Sequence, residues 1–301
     1  MGNSKTKVSI IIPHYNQKEC LKILLPSVAN QTFHDYEVII IDDCTPDKSA
    51  VEYIKGFIKE HPNMRLVENV ENMRFIKTVN KGIRLSKGEY VCLLNCDTEI
   101  KSNFVARNIE ILDSDASIGG LSCIIVDRYG KNWWSGGSFR GGFPTNLTDD
   151  FEGIRSVDFV AGTAAFYGKE VFNKIGLFDE SYRMYHEDVE FGLRIRAKTD
   201  YKTCAFSDKL VMHYTVPSIP TTELEYLLAR NQILVVLTYF PQLLPRVILK
   251  YFTEIVRTIA KDIWPLHPWL FIVHLLGFRH TLRGVFAGLR QKLSRRATPI
   301  E

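Results

Sequence analysis

Carboxylate side chains follow two of the apolar, β-branched runs in this sequence. Asp42 and Asp43 come directly after the run EVIII, and Asp97 lies three residues after the run YVCLL. In open α/β sheets, ligands bind beyond the carboxyl ends of parallel strands, so the two groups are expected at one sheet edge. Carboxylates there suit Mg²⁺ or Mn²⁺, which are commonly held by one or two carboxylates together with substrate phosphates.

A third acidic group opens a predicted helix. Glu187 and Asp188 begin the segment 187–197, where apolar residues recur at helical spacing. A carboxylate within reach of a substrate hydroxyl can act as a general base, an effect of about 10²–10⁴ in rate. The alternative is that either residue only caps the helix, which contributes about 1 kcal/mol. One side chain can have both roles.

Alternating strands and helices are expected to position these groups. β-Branched runs at 8–13 and 37–41 each precede a segment with helical spacing, at 20–29 and 49–59. This order predicts a parallel, buried sheet in an α/β fold. No G-x-G-x-x-G run follows these strands, which disfavours a dinucleotide fold of the dehydrogenase type. A third strand, a helix and a fourth strand are predicted at 65–68, 78–85 and 90–94.

The segment 122–159 has a different texture. It contains Trp133, Trp134 and two consecutive glycines, Gly136 and Gly137. The irregular composition predicts a mobile or acceptor-facing insertion within one domain.

The bulk composition fits a folded enzyme. The chain has 301 residues, 46% hydrophobic and 24% charged, which is enough for a substantial core. A formal charge of +4 is too weak to indicate nucleic acid as a partner. The six cysteines form no C-x-x-C pair, and no signal peptide is recognised at the start, which indicates reduced thiols in the cytoplasm.

Five segments occur in a fixed order along the chain: VSIIIPHYN at 8–16, EVIIIDDCTPDKS at 37–49, GEYVCLLNCDTEI at 88–100, GLFDESY at 176–182 and HEDVEFGLRIR at 186–196. They resemble the motifs of family 2 of the glycosyltransferases, and the similarity is greatest to rhamnosyltransferase-like members with an Asn-x-Asp metal motif. The resemblance covers roughly residues 7–215 and implies a GT-A fold with a mainly parallel central sheet. It also implies an inverting transfer of a sugar from a nucleotide-diphosphate donor to an acceptor hydroxyl.

The resemblance assigns the residues that bind the donor, a UDP- or dTDP-sugar. Pro13 and Tyr15 line the nucleobase pocket, with the Tyr15 ring stacked on the base. Asp43 accepts a hydrogen bond from the imide N–H of the pyrimidine, for which a carboxylate is a strong acceptor. Arg74 is assigned to the phosphates, although its segment departs from the Gly-rich version of the family.

The Asn95-Cys96-Asp97 segment occupies the position of the family's D-x-D motif. Asp97 is then a ligand of Mn²⁺ or Mg²⁺, while Asn95 is assigned to the ribose or to a bound water. His213 lies where relatives often have a metal-coordinating histidine; the alternative is a structural histidine. With a single carboxylate in the motif, the donor diphosphate supplies much of the coordination.

On the acceptor side, the resemblance makes Asp188 the general base. Glu187 and Gly162 are assigned to acceptor binding, although Gly162 also suits a tight turn. The acceptor is predicted to be a glycan or a lipid-linked glycan. Two other functions are weighed, a nucleotidyltransferase and a non-catalytic sugar-binding or scaffold protein. A Gly-rich loop after the first strand, expected for the former, is missing.

The chain is predicted to divide into a GT-A catalytic domain, residues 1–220, and a helical, amphipathic tail, residues 221–301. The apolar run 264–278 is shorter than the roughly 20 residues that span a bilayer. Basic residues follow it, interleaved with apolar ones at helical spacing, as in interfacial helices. The tail is therefore expected to lie on an anionic membrane, on the cytoplasmic face. The alternative is packing on the catalytic domain or on a second copy of the chain, as in a homodimer.

Overall fold

A computed structural model describes residues 6–216, 219–263 and 282–291. The first half confirms the predicted β-α alternation, because each β-branched run forms a buried strand and each segment with helical spacing forms a helix. These elements are β1 (Val8–His14), α1 (Lys18–Ala29), β2 (Tyr36–Asp42), α2 (Lys48–Ile58), β3 (Met64–Glu68), α3 (Phe75–Leu85) and β4 (Tyr90–Leu94).

The elements that follow complete the sheet and add the helices of the second half. They are β5 (Thr98–Ile100), α4 (Phe104–Ser114), β6 (Ile118–Asp127), β7 (Asn132–Trp134), β8 (Gly136–Arg140), β9 (Phe143–Leu147), β10 (Ile154–Val157), β11 (Ala164–Gly168), α5 (Lys169–Ile175), α6 (Glu187–Lys198), β12 (Lys202–His213), α7 (Thr221–Tyr239), α8 (Leu244–Ile263) and a further helix, α9, at 282–291. Short 3-10 turns occupy Glu180–Tyr182 and Pro241–Leu243.

The main sheet has the order β10-β12-β6-β11-β4-β1-β2-β3, with β5 on β12 and β7 on β6. Pairing is parallel among β3, β2, β1 and β4, and between β6 and β12. β11 is antiparallel to both of its neighbours, and β10 is antiparallel to β12. Six of these eight strands therefore run in one direction, and the prediction of a mixed α/β fold with a mainly parallel sheet is confirmed.

The prediction of an irregular insertion at 122–159 is wrong. The segment contributes to β6 and contains β7, β8, β9 and β10. The consecutive glycines Gly136 and Gly137 mark close approach within a strand and not a loop: a Cβ at Gly137 would lie 2.5 Å from the Phe159 carbonyl oxygen. Glycine inside a strand commonly has this role.

The described chain separates into two compact units. The first unit comprises residues up to 138, together with 146–183 and 187–216. Its core is formed by the central strands, where Ile10, Ile12 and Ile40 are fully buried. Such strands are buried on both faces by helices, which explains why they are continuous apolar runs and not alternating ones.

The second unit comprises 139–145, 184–186 and the described residues after 218. Ala229, Ile233, Val236, Val247 and Val285 form its core. α7 also buries polar side chains that bind backbone carbonyls: Asn231 donates to Met184 and Tyr185, at 2.8 and 2.7 Å, and Gln232 donates to Gly142 at 2.7 Å.

Within the described ranges, no helix combines the length and the apolarity that crossing a bilayer requires. The apolar run 264–278 lies outside the described residues.

Gly88 gives a test of the close packing beside β1. A Cβ there would lie 2.5 Å from the Ser9 amide nitrogen and 2.7 Å from the Val8 carbonyl carbon, and backbone atoms cannot move aside cheaply. We expect Gly88→Ala to lower the free energy of unfolding by about 1–3 kcal/mol. Gly56 in α2 has nothing within 4 Å of an added Cβ, so the control Gly56→Ala should raise it by roughly 0.5 kcal/mol. Urea denaturation of both variants measures the difference, and equal stabilities would contradict the packing argument.

Candidate active site

Asp97 and His213 meet because β5 pairs antiparallel with the end of β12, with Thr98 opposite His213. The Asp97 Oδ2 atom lies 3.2 Å from His213 Nε2 and accepts the Val216 amide at 3.1 Å. Both side chains are buried. Burial disfavours the Asp97 carboxylate, but the hydrogen bonds and the nearby imidazole outweigh it, so the pKa of Asp97 lies below its ordinary value.

The Asp97–His213 pair has the chemistry of an incomplete cation site. The oxygen and nitrogen atoms are separated by about the same distance, roughly 3 Å, as neighbouring ligands of an octahedral ion with 2.1 Å bonds. Thr215 Oγ1 lies 3.3 Å from Nδ1 of His213, and the Trp133 ring packs against the imidazole with centroids 4.4 Å apart. In the described part of the chain no group of three or more His, Cys, Asp or Glu residues could hold a metal ion. The remaining ligands would come from phosphates or water, and the pair fits Mn²⁺ or Mg²⁺ on those terms.

Asn95 and Cys96 form the turn before Asp97. The Asn95 amide donates to the Thr163 carbonyl at 2.9 Å, and its own carbonyl accepts the Thr98 hydroxyl at 2.7 Å. The Asn95 side chain is partly exposed. Cys96 is buried, and its thiol donates to Gln17 Oε1. Burial raises the pKa of Cys96 well above its ordinary value, which keeps the thiol protonated as a donor.

Pro13 lies near the end of β1, and Tyr15 follows the strand and is 41% exposed. Between them, His14 is buried and its Nδ1 lies 2.9 Å from Asp42 Oδ1. The backbone N–H of Gln17 donates to His14 Nε2 at 3.3 Å. Because Nε2 is the acceptor, Nδ1 carries the ring proton and donates it to Asp42.

Sequence reasoning missed the His14–Asp42 pair. The available signal was a histidine at the end of an otherwise apolar strand together with a first aspartate, Asp42, that had no assigned role. The register supplies what the sequence does not: His14 and Asp42 are direct partners in the parallel β1–β2 ladder.

Asp43 holds the start of α3. Its Oδ1 accepts the Met73 amide at 2.8 Å, and its Oδ2 accepts the Arg74 amide at 2.9 Å. The side chains of Asn69 and Thr78 also donate to Oδ1, at 2.8 and 2.9 Å. Arg74 has a left-handed backbone, with φ of 70°, and an exposed side chain at the helix N-terminus. Asp43 thus has a structural role that the sequence analysis did not assign.

Asp188 and Glu187 begin α6 and lie against Gly162. The Gly162 amide donates to Asp188 Oδ2 at 3.2 Å, and the Val189 amide donates to Oδ1 at 2.8 Å. A Cβ at Gly162 would lie 3.5 Å from Glu187 Oε1. Burial raises the pKa of Asp188, although these amide donors oppose the shift.

Glu187, which is buried, and Asp188, which is half-buried, line a small pocket. Its walls are mainly apolar, and its polar atoms come from the start of α6. The lining residues are Phe75, Ile76, Val79, Leu93, Gly162, Phe178, Glu187 and Asp188. A carboxylate facing such walls is poorly solvated, which favours its protonated form.

The structure therefore brings the predicted residues into three neighbouring groups. The first group lies at the ends of β1 and β2 and contains Pro13, Tyr15 and Asp43. The second group lies after β4 and contains Asn95 and Asp97, with His213 beside them. The third group lies at the start of α6 and contains Glu187 and Asp188, with Gly162 against them. One hydrogen bond, from the Asn95 amide to the Thr163 carbonyl, connects the second group to the segment that carries Gly162.

Two curated relatives have similar sequences. The chain is 25% identical over 213 residues to the amylovoran biosynthesis glycosyltransferase AmsB of Erwinia amylovora, covering 70% of this chain and 67% of that protein. It is 29% identical over 224 residues to chondroitin synthase of Escherichia coli, covering 62% of this chain and 32% of that protein. The chain thus spans about a third of the second relative's length.

Two solved structures have a similar fold. TarS 1–349 of S. aureus in complex with UDP-GlcNAc superposes with a TM-score of 0.63 at 17% identity, covering 93% of this chain and 81% of that one. The mannosyltransferase PcManGT of Pyrobaculum calidifontis, in complex with GDP-Man and Mn²⁺, gives 0.60 at 15% identity, covering 96% and 89%. These likenesses confirm the GT-A fold.

Residues 9–176, more than half of the chain, match the sequence profile described as glycosyl transferase family 2. The predicted resemblance is confirmed at the level of the family, and the enzyme class that follows from it is that of the glycosyltransferases. The chain belongs to glycosyl transferase family 2.

Proposed function

We propose that this glycosyltransferase inverts the anomeric centre as it moves a sugar from a nucleotide diphosphate to an acceptor hydroxyl. The observation that carries the proposal is the segment 161–163. Its Gly162 amide orients the Asp188 carboxylate, and its Thr163 carbonyl accepts the Asn95 amide. In a single displacement the acceptor is deprotonated beside the departing diphosphate. The general base and the cation-binding turn must therefore lie close together, and this one segment holds both.

For the donor, we assign a UDP- or dTDP-sugar. Tyr15 is exposed where a base can stack on it, and Pro13 precedes it at the end of β1. Asp43 accepts the imide N–H of the pyrimidine in addition to its protein donors. Arg74 lies at the α3 N-terminus, where a positive side chain and the helix dipole favour phosphate. Asn95 binds the ribose or a water.

Asp97 and His213 are assigned to a divalent cation, Mn²⁺ or Mg²⁺. A cation bound there would offset the negative charge that develops on the departing nucleotide. The site's own charge is low, since Asp97 is the single carboxylate of the turn. The solved structure of PcManGT, with GDP-Man and Mn²⁺, supports a cation in this fold.

Asp188 is assigned as the general base, with Glu187 and Gly162 binding the acceptor. The raised pKa of Asp188 makes its carboxylate a stronger base than an ordinary aspartate. The Gly162 amide fixes the orientation of Oδ2. Inversion in one step requires no covalent intermediate, so no nucleophilic side chain is needed.

The role of Asp97 is tested by binding. Asp97→Ala removes the only carboxylate of the turn and should abolish the Mn²⁺-dependent part of UDP affinity. Calorimetric titration with UDP, with and without Mn²⁺, measures this quantity. Glu110→Ala, an exposed carboxylate on α4, is the control and should titrate like the wild type. Unchanged Mn²⁺ dependence in the Asp97 variant would place the metal elsewhere.

The role of Asp188 is tested by turnover. Asp188→Asn should keep UDP affinity but lose at least about 10²-fold in kcat, since only the base is removed. In the wild type, activity should fall as the pH drops through the pKa of Asp188, because only the deprotonated form accepts a proton. That fall should occur above the ordinary range of an aspartate. A variant with full turnover, measured as nucleoside diphosphate released with acceptor present, would exclude Asp188 as the base.

We further propose that the second unit docks the enzyme on an anionic membrane surface that presents a glycan or lipid-linked glycan acceptor. On α8, Ile248, Leu249 and Phe252 are 41, 61 and 59% exposed, with Lys250 exposed among them. On α9, Phe286 is 58% exposed. Exposed apolar side chains mixed with basic ones are typical of interfacial helices. This proposal places the enzyme on the cytoplasmic face of the membrane.

Vesicle co-sedimentation tests the membrane proposal. Phe252→Glu should reduce binding of the full chain to vesicles with anionic lipid, because it removes apolar area and adds a repelled charge. Tyr129→Glu, at a residue 84% exposed in the first unit, is the matched control and should sediment like the wild type. Binding that is indifferent to salt and to lipid charge would count against the membrane and favour docking on protein.

A further inference from the structure

A chain of hydrogen bonds, buried at His14 and Asp42 and partly buried at Gln17, runs from the end of β2 to the turn after β4. Asp42 Oδ1 accepts Nδ1–H of His14 at 2.9 Å. His14 Nε2 accepts the backbone N–H of Gln17 at 3.3 Å. The side chain of the same glutamine accepts the Cys96 thiol through Oε1. Three segments that are distant in the sequence are thus joined by consecutive polar contacts.

A branch of this network fixes the loop between β1 and α1. Thr45 donates its amide to Asp42 Oδ2 at 3.0 Å, and its hydroxyl accepts the Asn16 amide at 3.1 Å. Asn16 has a left-handed backbone, with φ of 55°. Such a conformation costs free energy in a residue other than glycine and persists where its surroundings determine it. The network therefore defines the conformation of the residues on either side of Tyr15.

Most side chains of the network are buried, while Gln17 is half-buried and Asn16 is exposed. His14 and Asp42 are each 1% exposed, Thr45 is fully buried and Cys96 is 4% exposed. Hydrogen bonds in such surroundings are strong, and the loss of one partner leaves the other unsatisfied. Its members flank the two functional groups without being either: Cys96 adjoins Asp97, and Gln17 is two residues from Tyr15.

We propose that Gln17 and Cys96 are positioning residues, which hold the nucleobase loop and the cation-binding turn at the separation that one nucleoside diphosphate spans. The inference rests on the proposed donor site. A ligand that reaches both groups gains from their fixed separation, because no ordering cost is incurred on binding. A ligand that reaches one group does not.

The test compares ligands that span the site with ligands that do not. In Cys96→Ala, the affinity for UDP with Mn²⁺ should fall about fivefold to tenfold, the loss expected for one hydrogen bond of a preorganised site. The affinity for uridine, which has no phosphate, should stay within about twofold of the wild type. Calorimetric titration with UDP plus Mn²⁺ and with uridine gives both values. A purely structural role of Cys96 would change the two affinities alike or not at all.

Three further variants separate the hydrogen bond from other effects. Cys96→Ser keeps a donor at the same position and should restore most of the UDP affinity. Gln17→Met removes the acceptor and should reproduce the loss, and adding Cys96→Ala to it should cost little more, since both remove the same bond. Cys123→Ala, at a fully buried cysteine in β6, controls for general destabilisation and should leave both affinities unchanged.

The outcomes separate this inference from the function on which it rests. If Asp97→Ala abolishes Mn²⁺-dependent UDP binding while Cys96→Ala and Gln17→Met bind UDP like the wild type, the donor site stands and the positioning role is overturned. Equal losses for UDP and uridine overturn it as well. If Asp97→Ala binds UDP with unchanged Mn²⁺ dependence, the donor site itself is wrong, and this inference fails with it.

Discussion

Parallel pairing of β1 with both β2 and β4 is the constraint on which the site depends. Val8 lies opposite Tyr36 on one side and Tyr90 on the other, so the three strands start level and end near one edge. The loop with Tyr15 follows β1 and the turn with Asp97 follows β4, so parallel pairing brings both to this edge. Fully buried isoleucines in β1 and β2 keep both strands in the core of the sheet, where helices cover both faces.

The reversal of direction at β11 adds the acceptor side. β11 runs antiparallel to β4, with Ala164 opposite Leu94, so the residues that enter β11 lie beside the residues that leave β4. This pairing places Gly162 next to the turn at Asn95 and Asp97, and α6 brings Asp188 to the Gly162 amide. A sheet that was parallel throughout would carry this segment to the opposite edge.

The sequence was sufficient for the elements whose signal is local. The β-branched runs of β1, β2 and β4 and the acidic start of α6 were predicted, because each depends on residue type and spacing. Contacts that depend on strand register were not predicted. The His14–Asp42 contact and the packing of Trp133 on His213 both join residues that are far apart in the sequence. The glycines at 136 and 137 suggested a loop for the same reason. Gly137 is needed because its strand approaches Phe159 closely, and a contact between distant residues leaves no local pattern in the sequence.

The four protein donors on Asp43 have a consequence for redesign of donor preference. In the proposed donor site Asp43 would both read the base and secure the start of α3, so a substitution made for one purpose also releases the amides of Met73 and Arg74. Tyr15 is 41% exposed, so in the same proposed site a change of its ring would alter base recognition without releasing a helix start.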